Sequence, residues 1–99
     1  MTKPHVAELV KWQANPNVSD AQMVEAVDGI LPDLQQLPGF ISQTLYKDKD
    51  GIWVDLYYWE TEEQAIASND LMADKASFAK LMSLLDVGSV SIEFLYLPE

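Results

Sequence analysis

Residues 40–59, FISQTLYKDKDGIWVDLYYW, contain two stretches rich in aromatic and β-branched side chains on either side of the polar sequence DKDG. Such side chains favour β-strands, and Gly51 can adopt the positive φ that a tight turn requires. The sequence therefore predicts a β-hairpin, with strands over residues 40–47 and 52–59 joined by a four-residue loop.

Further elements are predicted on both sides of the hairpin. Alternating apolar residues predict a strand over residues 5–12 and another over residues 90–97. Ser19 and Gln22 have the spacing of a capping box, and apolar residues recur at helical spacing after them. A helix is therefore predicted to begin at Ser19.

Two helical regions complete the predicted order. Pro32 lacks the N–H that a helix needs, which predicts a break near Leu31 and a second short helix ending at Leu37. Thr61 has the features of a helix cap, and helical spacing continues, with one or two further turns, as far as Leu85. The order is thus β-α-β-β-α-β.

Composition limits the domain count and the function class. Ninety-nine residues form one domain, predicted to span residues 1–99. Sixteen acidic residues against six lysines give a net charge of −10, and the chain has no arginine, so nucleic acid and anionic membranes are excluded as partners.

With no cysteine, one histidine and no glycine-rich loop, no metal, haem or nucleotide cofactor is expected. No signal peptide or membrane span is visible, so a cytoplasmic location is expected.

Side chains alternate between the two faces of a strand, so a four-residue hairpin loop divides the strand residues into two sets. The first set is almost wholly apolar and is expected to lie under the helices: Ala7, Leu9, Ile41, Leu45, Ile52, Val54, Leu56, Tyr58, Ile92, Phe94 and Tyr96. The second set is mixed: Val6, Glu8, Val10, Trp12, Ser42, Thr44, Tyr46, Trp53, Asp55, Tyr57, Trp59, Ser91, Glu93, Leu95 and Leu97. Because a monomer rarely exposes so much apolar surface, a second copy is expected to cover this set in a homodimer, with a cavity between the two sheets.

Several short motifs carry a resemblance to a known family. They are Leu37-Pro38-Gly39-Phe40 before the second strand, Trp53-Val54-Asp55 at the start of the third, and Tyr58-Trp59 followed by ETEEQA. With these motifs and its element order, the chain resembles the antibiotic biosynthesis monooxygenase-like proteins over nearly its whole length. The resemblance implies an α+β, ferredoxin-like fold with a four-stranded antiparallel sheet that pairs into a dimeric α+β barrel.

The resemblance also has implications for activity. Members of the family include cofactor-independent oxygenases of polycyclic aromatic compounds and haem-degrading enzymes. Trp59 matches the family tryptophan that lines the cavity of active members. Ser68 and Asn69 stand near the position of a histidine found in many members, and Glu8 occupies the region of a first-strand asparagine. The missing histidine argues against haem ligation.

Three carboxylates, Glu8, Asp55 and Glu93, are predicted near the middle of adjacent strands on the mixed face. Neighbouring buried carboxylates cannot all ionise cheaply, so at least one pKa should be raised, as a general base requires. Asp55 or Glu8 is therefore predicted to be the catalytic base. Glu93 and four aromatic residues are predicted to bind the substrate: Tyr46, Tyr57, Trp59 and Trp12. The alternative is that these groups only hydrogen-bond to one another or fill an interface.

The predicted function is that of a monooxygenase-like enzyme that oxidises or isomerises a phenolic or aromatic compound without a cofactor. A base would remove a proton from a phenol or enol and thereby prepare the ring for reaction with oxygen or for isomerisation. The alternative is a non-catalytic dimer that binds a small ligand or a protein partner. A third alternative is a cavity filled by side chains, with no ligand at all.

Overall fold

The computed structural model describes residues 5–98 of the predicted domain. Its elements are β1 (Val6–Trp12), α1 (Asp20–Leu34), β2 (Phe40–Lys47), β3 (Trp53–Trp59), α2 (Glu62–Met72), α3 (Ala76–Met82), a short 3₁₀ turn (Val87–Ser89) and β4 (Ser91–Tyr96). The four strands form one antiparallel sheet in the order β2-β3-β1-β4. This confirms the predicted ferredoxin-like α+β fold. No helix within residues 5–98 is long and apolar enough to cross a membrane.

The start of α1 confirms the predicted capping box. The Ser19 hydroxyl accepts a hydrogen bond from the Gln22 backbone N–H at 3.1 Å, and the Gln22 side chain accepts one from the Ser19 N–H at 2.7 Å. The predicted break at Pro32 is wrong, because α1 continues through it to Leu34. Since Pro32 lies in the last turn, the helix loses one backbone hydrogen bond there and ends before the ring can distort a longer stretch.

The β2–β3 hairpin differs from the prediction by one residue. Lys47 pairs with Trp53, so the loop comprises the five residues 48–52 rather than four. The Asp48 carboxylate stabilises this longer loop, because it accepts hydrogen bonds from the N–H groups of Asp50 at 2.8 Å and Ile52 at 3.0 Å. An odd loop length reverses the alternation of β2 relative to β3.

The helices cover the β1 and β3 residues of the mixed set, so the predicted faces of these two strands are wrong, and the predicted cavity between two sheets does not contain them. The β2 and β4 residues Leu45, Ile92, Phe94 and Tyr96 do lie under the helices as predicted. We call this covered surface the helix-side face: Val6, Glu8, Val10, Trp12, Gln43, Leu45, Trp53, Asp55, Tyr57, Trp59, Ile92, Phe94 and Tyr96. We call the other surface the open face: Ala7, Leu9, Lys11, Ser42, Thr44, Tyr46, Val54, Leu56, Tyr58, Ser91, Glu93 and Leu95. The core consists of tryptophan rings packed on apolar residues of α1 such as Met23, Val27 and Ile30.

Gly39 fixes the position of β2 against α2. Its φ is +81°, and a Cβ placed there would lie 1.8 Å from the side-chain oxygen of Gln64 in α2. The positive φ therefore favours glycine at this junction, and a larger residue would also have to displace the end of the Gln64 side chain. The Thr61 hydroxyl caps α2 by accepting a hydrogen bond from the Gln64 backbone N–H at 3.2 Å.

Candidate functional site

A cavity of about 200 Å³ lies between the helix-side face and the helices. Its wall is mostly apolar and includes side chains from all three helices: Ile30, Leu34, Met72, Phe78, Leu81 and Met82. From the sheet, Glu8, Trp12, Tyr57 and Trp59 contribute the polar atoms. An apolar cavity with a few polar groups at one wall is the usual form of a small-molecule site.

Glu8 is the only carboxylate in the cavity wall within residues 5–98. It lies in the middle of β1 with 4% of its surface exposed, and its Oε1 accepts a hydrogen bond from Trp59 Nε1 at 3.0 Å. Burial raises the pKa of Glu8, the hydrogen bond from Trp59 lowers it, and the charge of Asp55 raises it further. A carboxylate with a raised pKa is a stronger base than one in water.

Asp55 is fully buried behind the cavity wall, on β3. Its Oδ2 accepts a hydrogen bond from the Tyr57 hydroxyl at 2.5 Å, and its Oδ1 accepts one from the Gln43 side-chain amide. Burial raises the pKa of Asp55 to about 6, although both hydrogen bonds act to lower it. Both carboxylate oxygens of Asp55 therefore accept hydrogen bonds from the protein, whereas only one oxygen of Glu8 does.

Tyr57 joins the two carboxylates. It lies directly opposite Glu8 in the β1–β3 register, and it donates its hydroxyl hydrogen to Asp55. Burial raises the pKa of Tyr57 well above its ordinary value, and the negative charges of Asp55 and Glu8 raise it further. The phenol thus keeps its proton throughout the physiological pH range.

Aromatic rings form the sheet side of the site. The Trp59 ring packs edge-on against Phe40, with ring centroids 5.6 Å apart, and lies 6.4 Å from the Tyr57 ring. Trp12 is 2% exposed, and its indole N–H finds no acceptor in the described part of the chain. These rings offer flat apolar surface to a planar ligand.

Five of the seven predicted site residues lie on the helix-side face: Glu8, Trp12, Asp55, Tyr57 and Trp59. Tyr46 and Glu93 do not join them, so their predicted placement beside the carboxylates is wrong. Tyr46 pairs with Val54 and is 55% exposed, and Glu93 pairs with Leu9; both point to the open face. Tyr46 is turned away by the one-residue change of register in β2, and Glu93 lies on the open face because Phe94, not Glu93, pairs with Glu8.

Gln43 was missed by the sequence analysis. The five-residue loop places it on the helix-side face, opposite Tyr57, where its amide reaches Asp55. The assumed four-residue loop directs Gln43 to the other face, so only a correct loop length could have identified it. Within residues 5–98, no group of three or more His, Cys, Asp or Glu side chains could hold a metal ion.

The chain was compared with protein-family models, with curated proteins and with solved structures. No family model and no curated protein matches it. A protein of unknown function from Nitrosomonas europaea has a similar structure, with a TM-score of 0.75 and 19% identity over 100% of this chain and 94% of that one. A putative antibiotic biosynthesis monooxygenase from Chloroflexus aurantiacus has a TM-score of 0.69 and 18% identity, covering 96% and 94% of the two chains.

SnoaB, described as a cofactor-independent oxygenase from Streptomyces nogalater, has a TM-score of 0.73 and 13% identity, covering 97% of this chain and 95% of its own. At these identities the similarity establishes the fold. The chain therefore has the fold of antibiotic biosynthesis monooxygenase-like proteins, and the resemblance found in the sequence is confirmed at that level.

Proposed function

We propose that the protein oxidises a small phenol with molecular oxygen and without a cofactor, and that Glu8 is the base. The observation that carries the proposal is a buried carboxylate of raised pKa in the wall of an apolar cavity. Its Oε1 is held by Trp59, and no donor within residues 5–98 bonds to Oε2. A cofactor-independent oxygenase among the structural neighbours supports the same reaction class.

The size of the cavity supports a ligand of one or two rings. A cavity of about 150 Å³ is enough for benzene, whereas drug-sized ligands occupy pockets of about 300 Å³ or more. The cavity here is about 200 Å³, between those limits. A chain with a net charge of −10 and a carboxylate in the wall also favours a neutral ligand over an anionic one.

The proposed chemistry begins with a hydrogen bond from the phenol hydroxyl to Glu8 Oε2. Transfer of this proton to Glu8 gives a phenolate, whose ring carbon para to the oxygen is rich in electrons. Dioxygen is the oxidant: one oxygen atom becomes bonded to that carbon, the other leaves as water, and the phenol becomes a quinone. For 1-naphthol the balanced equation is C₁₀H₈O + O₂ → C₁₀H₆O₂ + H₂O.

This proposal assigns the role of base to Glu8 and not to Asp55. Both were candidates from the sequence, but Asp55 lies behind the wall with both oxygens engaged. Tyr57, Trp59 and Trp12 are proposed to bind the ring of the substrate, since all three line the same cavity.

A second candidate function is ligand binding without turnover. The buried donors of the wall are mostly engaged within the protein: Trp59 bonds to Glu8, Tyr57 to Asp55, and Ser68 to the Ala65 carbonyl at 2.5 Å. Few donors are left to stabilise the negative charge that would develop on oxygen during the reaction. That shortage is the observation that supports binding without turnover as the second candidate.

A homodimer is also part of the proposal, together with a cytoplasmic location. The open face has a central apolar area that includes Leu9, Val54 and Leu56, none of which the helices cover. A second sheet packed on this face would bury it in the way two sheets pack in a sandwich. The absence of cysteine fits a compartment that does not form disulfides.

The experiment that tests the proposed function is oxygen uptake with 1-naphthol, with 1,4-naphthoquinone measured as product. Glu8→Gln keeps an acceptor for Trp59 but removes the base, and it is expected to lower kcat/KM by about 100-fold or more. The control is Glu63→Gln, which makes the same change at an exposed residue of α2 and should leave the rate within about twofold.

Other outcomes distinguish the alternatives. Exchange of ring hydrogen for deuterium in D₂O without oxygen uptake would assign proton transfer of the isomerase type. Binding of 1-naphthol with neither reaction would support the non-catalytic function. No binding at all would contradict both proposals.

A further inference from the structure

The Tyr57 hydroxyl bonds to one carboxylate, Asp55, while the charge of a second carboxylate, Glu8, also acts on it. Tyr57 stands opposite Glu8 in the β1–β3 register, and both side chains line the cavity. A hydroxyl group has a single hydrogen to donate. That hydrogen goes to Asp55 Oδ2 at 2.5 Å, two residues away on the same strand.

Asp55 is itself held in place from the other side. The Gln43 amide on β2 donates to Oδ1 while Tyr57 donates to Oδ2, so each carboxylate oxygen has one donor. With 0% of its surface exposed, Asp55 has no room to adopt a different arrangement. The acceptor for the Tyr57 hydroxyl is thus fixed in position.

Glu8 is left with one hydrogen bond as a result. Trp59 bonds to Oε1, and the remaining wall brings no charged side chain near Oε2 within residues 5–98. The helices contribute only uncharged residues to that wall: Ile30 and Leu34 from α1, Ser68, Asn69 and Met72 from α2, and Phe78, Leu81 and Met82 from α3. The neighbouring position on β4 is Phe94.

We propose that Asp55 is a positioning residue that keeps the Tyr57 hydroxyl away from Glu8, so that Oε2 remains open to the hydroxyl of a ligand. The part of this inference that concerns the ligand rests on the proposed function; the part that concerns Tyr57 does not. A buried hydroxyl that loses its acceptor turns to the next one available, because an unsatisfied buried donor is costly. Without Asp55, the acceptor we propose is Glu8, which stands opposite Tyr57 in the strand register and is the other carboxylate whose charge acts on Tyr57.

The test compares Asp55→Asn with Asp55→Leu, each with and without Tyr57→Phe. Both single variants remove the negative charge, but only asparagine keeps an acceptor for Tyr57. The readout is the pKa of Glu8, followed by ¹³C NMR of its carboxyl carbon in the absence of any ligand. A hydrogen bond donated to the carboxylate stabilises its charged form.

We expect the pKa of Glu8 to be about one unit lower in Asp55→Leu than in Asp55→Asn, and this difference to vanish when Tyr57→Phe is added. Equal values in the two single variants would overturn the inference, and so would a difference that survives Tyr57→Phe. If Asp55→Leu does not fold, the single variant Tyr57→Phe provides the test. We expect no rise in the pKa of Glu8 in Tyr57→Phe, and a rise of about one unit would contradict the inference.

Binding of 1-naphthol gives a second readout. We expect its affinity to be about tenfold lower in Asp55→Leu than in Asp55→Asn and to recover in Asp55→Leu with Tyr57→Phe, since Tyr57 then no longer competes for Glu8. Loss of affinity that Tyr57→Phe does not restore would contradict the inference. If no variant binds 1-naphthol while the Glu8 titration behaves as expected, the proposed function fails and the positioning role of Asp55 stands.

Discussion

At the scale of single residues, the central feature is that two carboxylates are buried in one small domain. Glu8 and Asp55 are 4% and 0% exposed, and each is stabilised by neutral donors rather than by a positive charge. Hydrogen bonds from neutral groups offset only part of the cost of burying a charge. Ionisation of these groups therefore works against folding.

The first prediction concerns the pH dependence of stability. The pKa of Asp55 is raised from 3.8 to about 6, chiefly by burial, so the native state binds more protons than the unfolded state between these values. Stability should therefore fall as the pH rises from about 4 through about 6. The two pKa values correspond to roughly 3 kcal/mol in the free energy of unfolding. Asp55→Asn should remove most of this fall, measured by urea unfolding at pH 4 and pH 7.

A steep fall that is the same in Asp55→Asn would mean that other groups cause it. No fall in the parent would mean that Asp55 is ionised at little cost in the native state. Either result would contradict this account of Asp55.

The second prediction concerns the hydrogen bond between Trp59 and Glu8. Because the Trp59 N–H lowers the pKa of Glu8, Trp59→Phe should raise that pKa further while keeping a ring in the core. ¹³C NMR of the Glu8 carboxyl carbon would measure the change. Trp53→Phe is the matched control, since Trp53 is also buried on the helix-side face but is not bonded to Glu8. An unchanged pKa in Trp59→Phe would show that the hydrogen bond has little effect.

At the scale of elements, the junctions between strands and helices decide which side chains meet. Gly39 at the entrance to β2 has both a positive φ and a close neighbour in Gln64, whereas Gly29 in α1 has no atom within 4 Å of an added Cβ. Replacement of glycine by alanine should therefore lower the free energy of unfolding at position 39 and raise it at position 29.

The third prediction is that Gly39→Ala lowers the free energy of unfolding by about 1–2 kcal/mol, chiefly because alanine is strained at this positive φ and because the new methyl group must displace the end of the Gln64 side chain. Gly29→Ala should raise it by about 0.5–1 kcal/mol, since alanine is the better helix former in open space. Chemical denaturation of both variants measures the difference. Equal effects at the two sites would contradict the described junction.

Much of the fold could be predicted at this scale, and the site only in part. The alternation within β1 and β3 was read correctly, so Glu8, Asp55, Tyr57 and Trp59 were expected together. Pairing across a loop depends on whether its length is odd or even, and the extra residue in the β2–β3 loop moved Tyr46 away from the carboxylates. The DKDG motif fits a loop of four or of five residues, and the hydrogen bonds from Asp50 and Ile52 to the Asp48 carboxylate, which select the longer loop, were not foreseen.

The choice of the face under the helices depends on packing that local patterns do not show. An almost wholly apolar face was expected under the helices, yet the structure buries rings and carboxylates there. The large rings fill the core, and hydrogen bonds satisfy the buried polar groups.

For the molecule as a whole, the open face is the side of the sheet that the helices of residues 5–98 leave uncovered. The fourth prediction is a homodimer through this face, with twice the 11.1 kDa mass of the chain in light scattering. Leu56→Lys, in the middle of the face, should give a monomer because it places a charge in the interface. Ile66→Lys, at an exposed position of α2, is the control and should stay dimeric. A parent of 11.1 kDa at micromolar concentration would contradict the dimer.

The proposed role of Glu8, in the cavity between the sheet and the helices, is to bind the reacting hydroxyl of a small phenol. A crystal structure with 1-naphthol bound tests it most directly. We expect the naphthol oxygen to lie within about 2.5–3.0 Å of Glu8 Oε2, with the ring against Tyr57 and Trp59. A naphthol bound on the open face, or in the cavity without a hydrogen bond to Glu8, would contradict it.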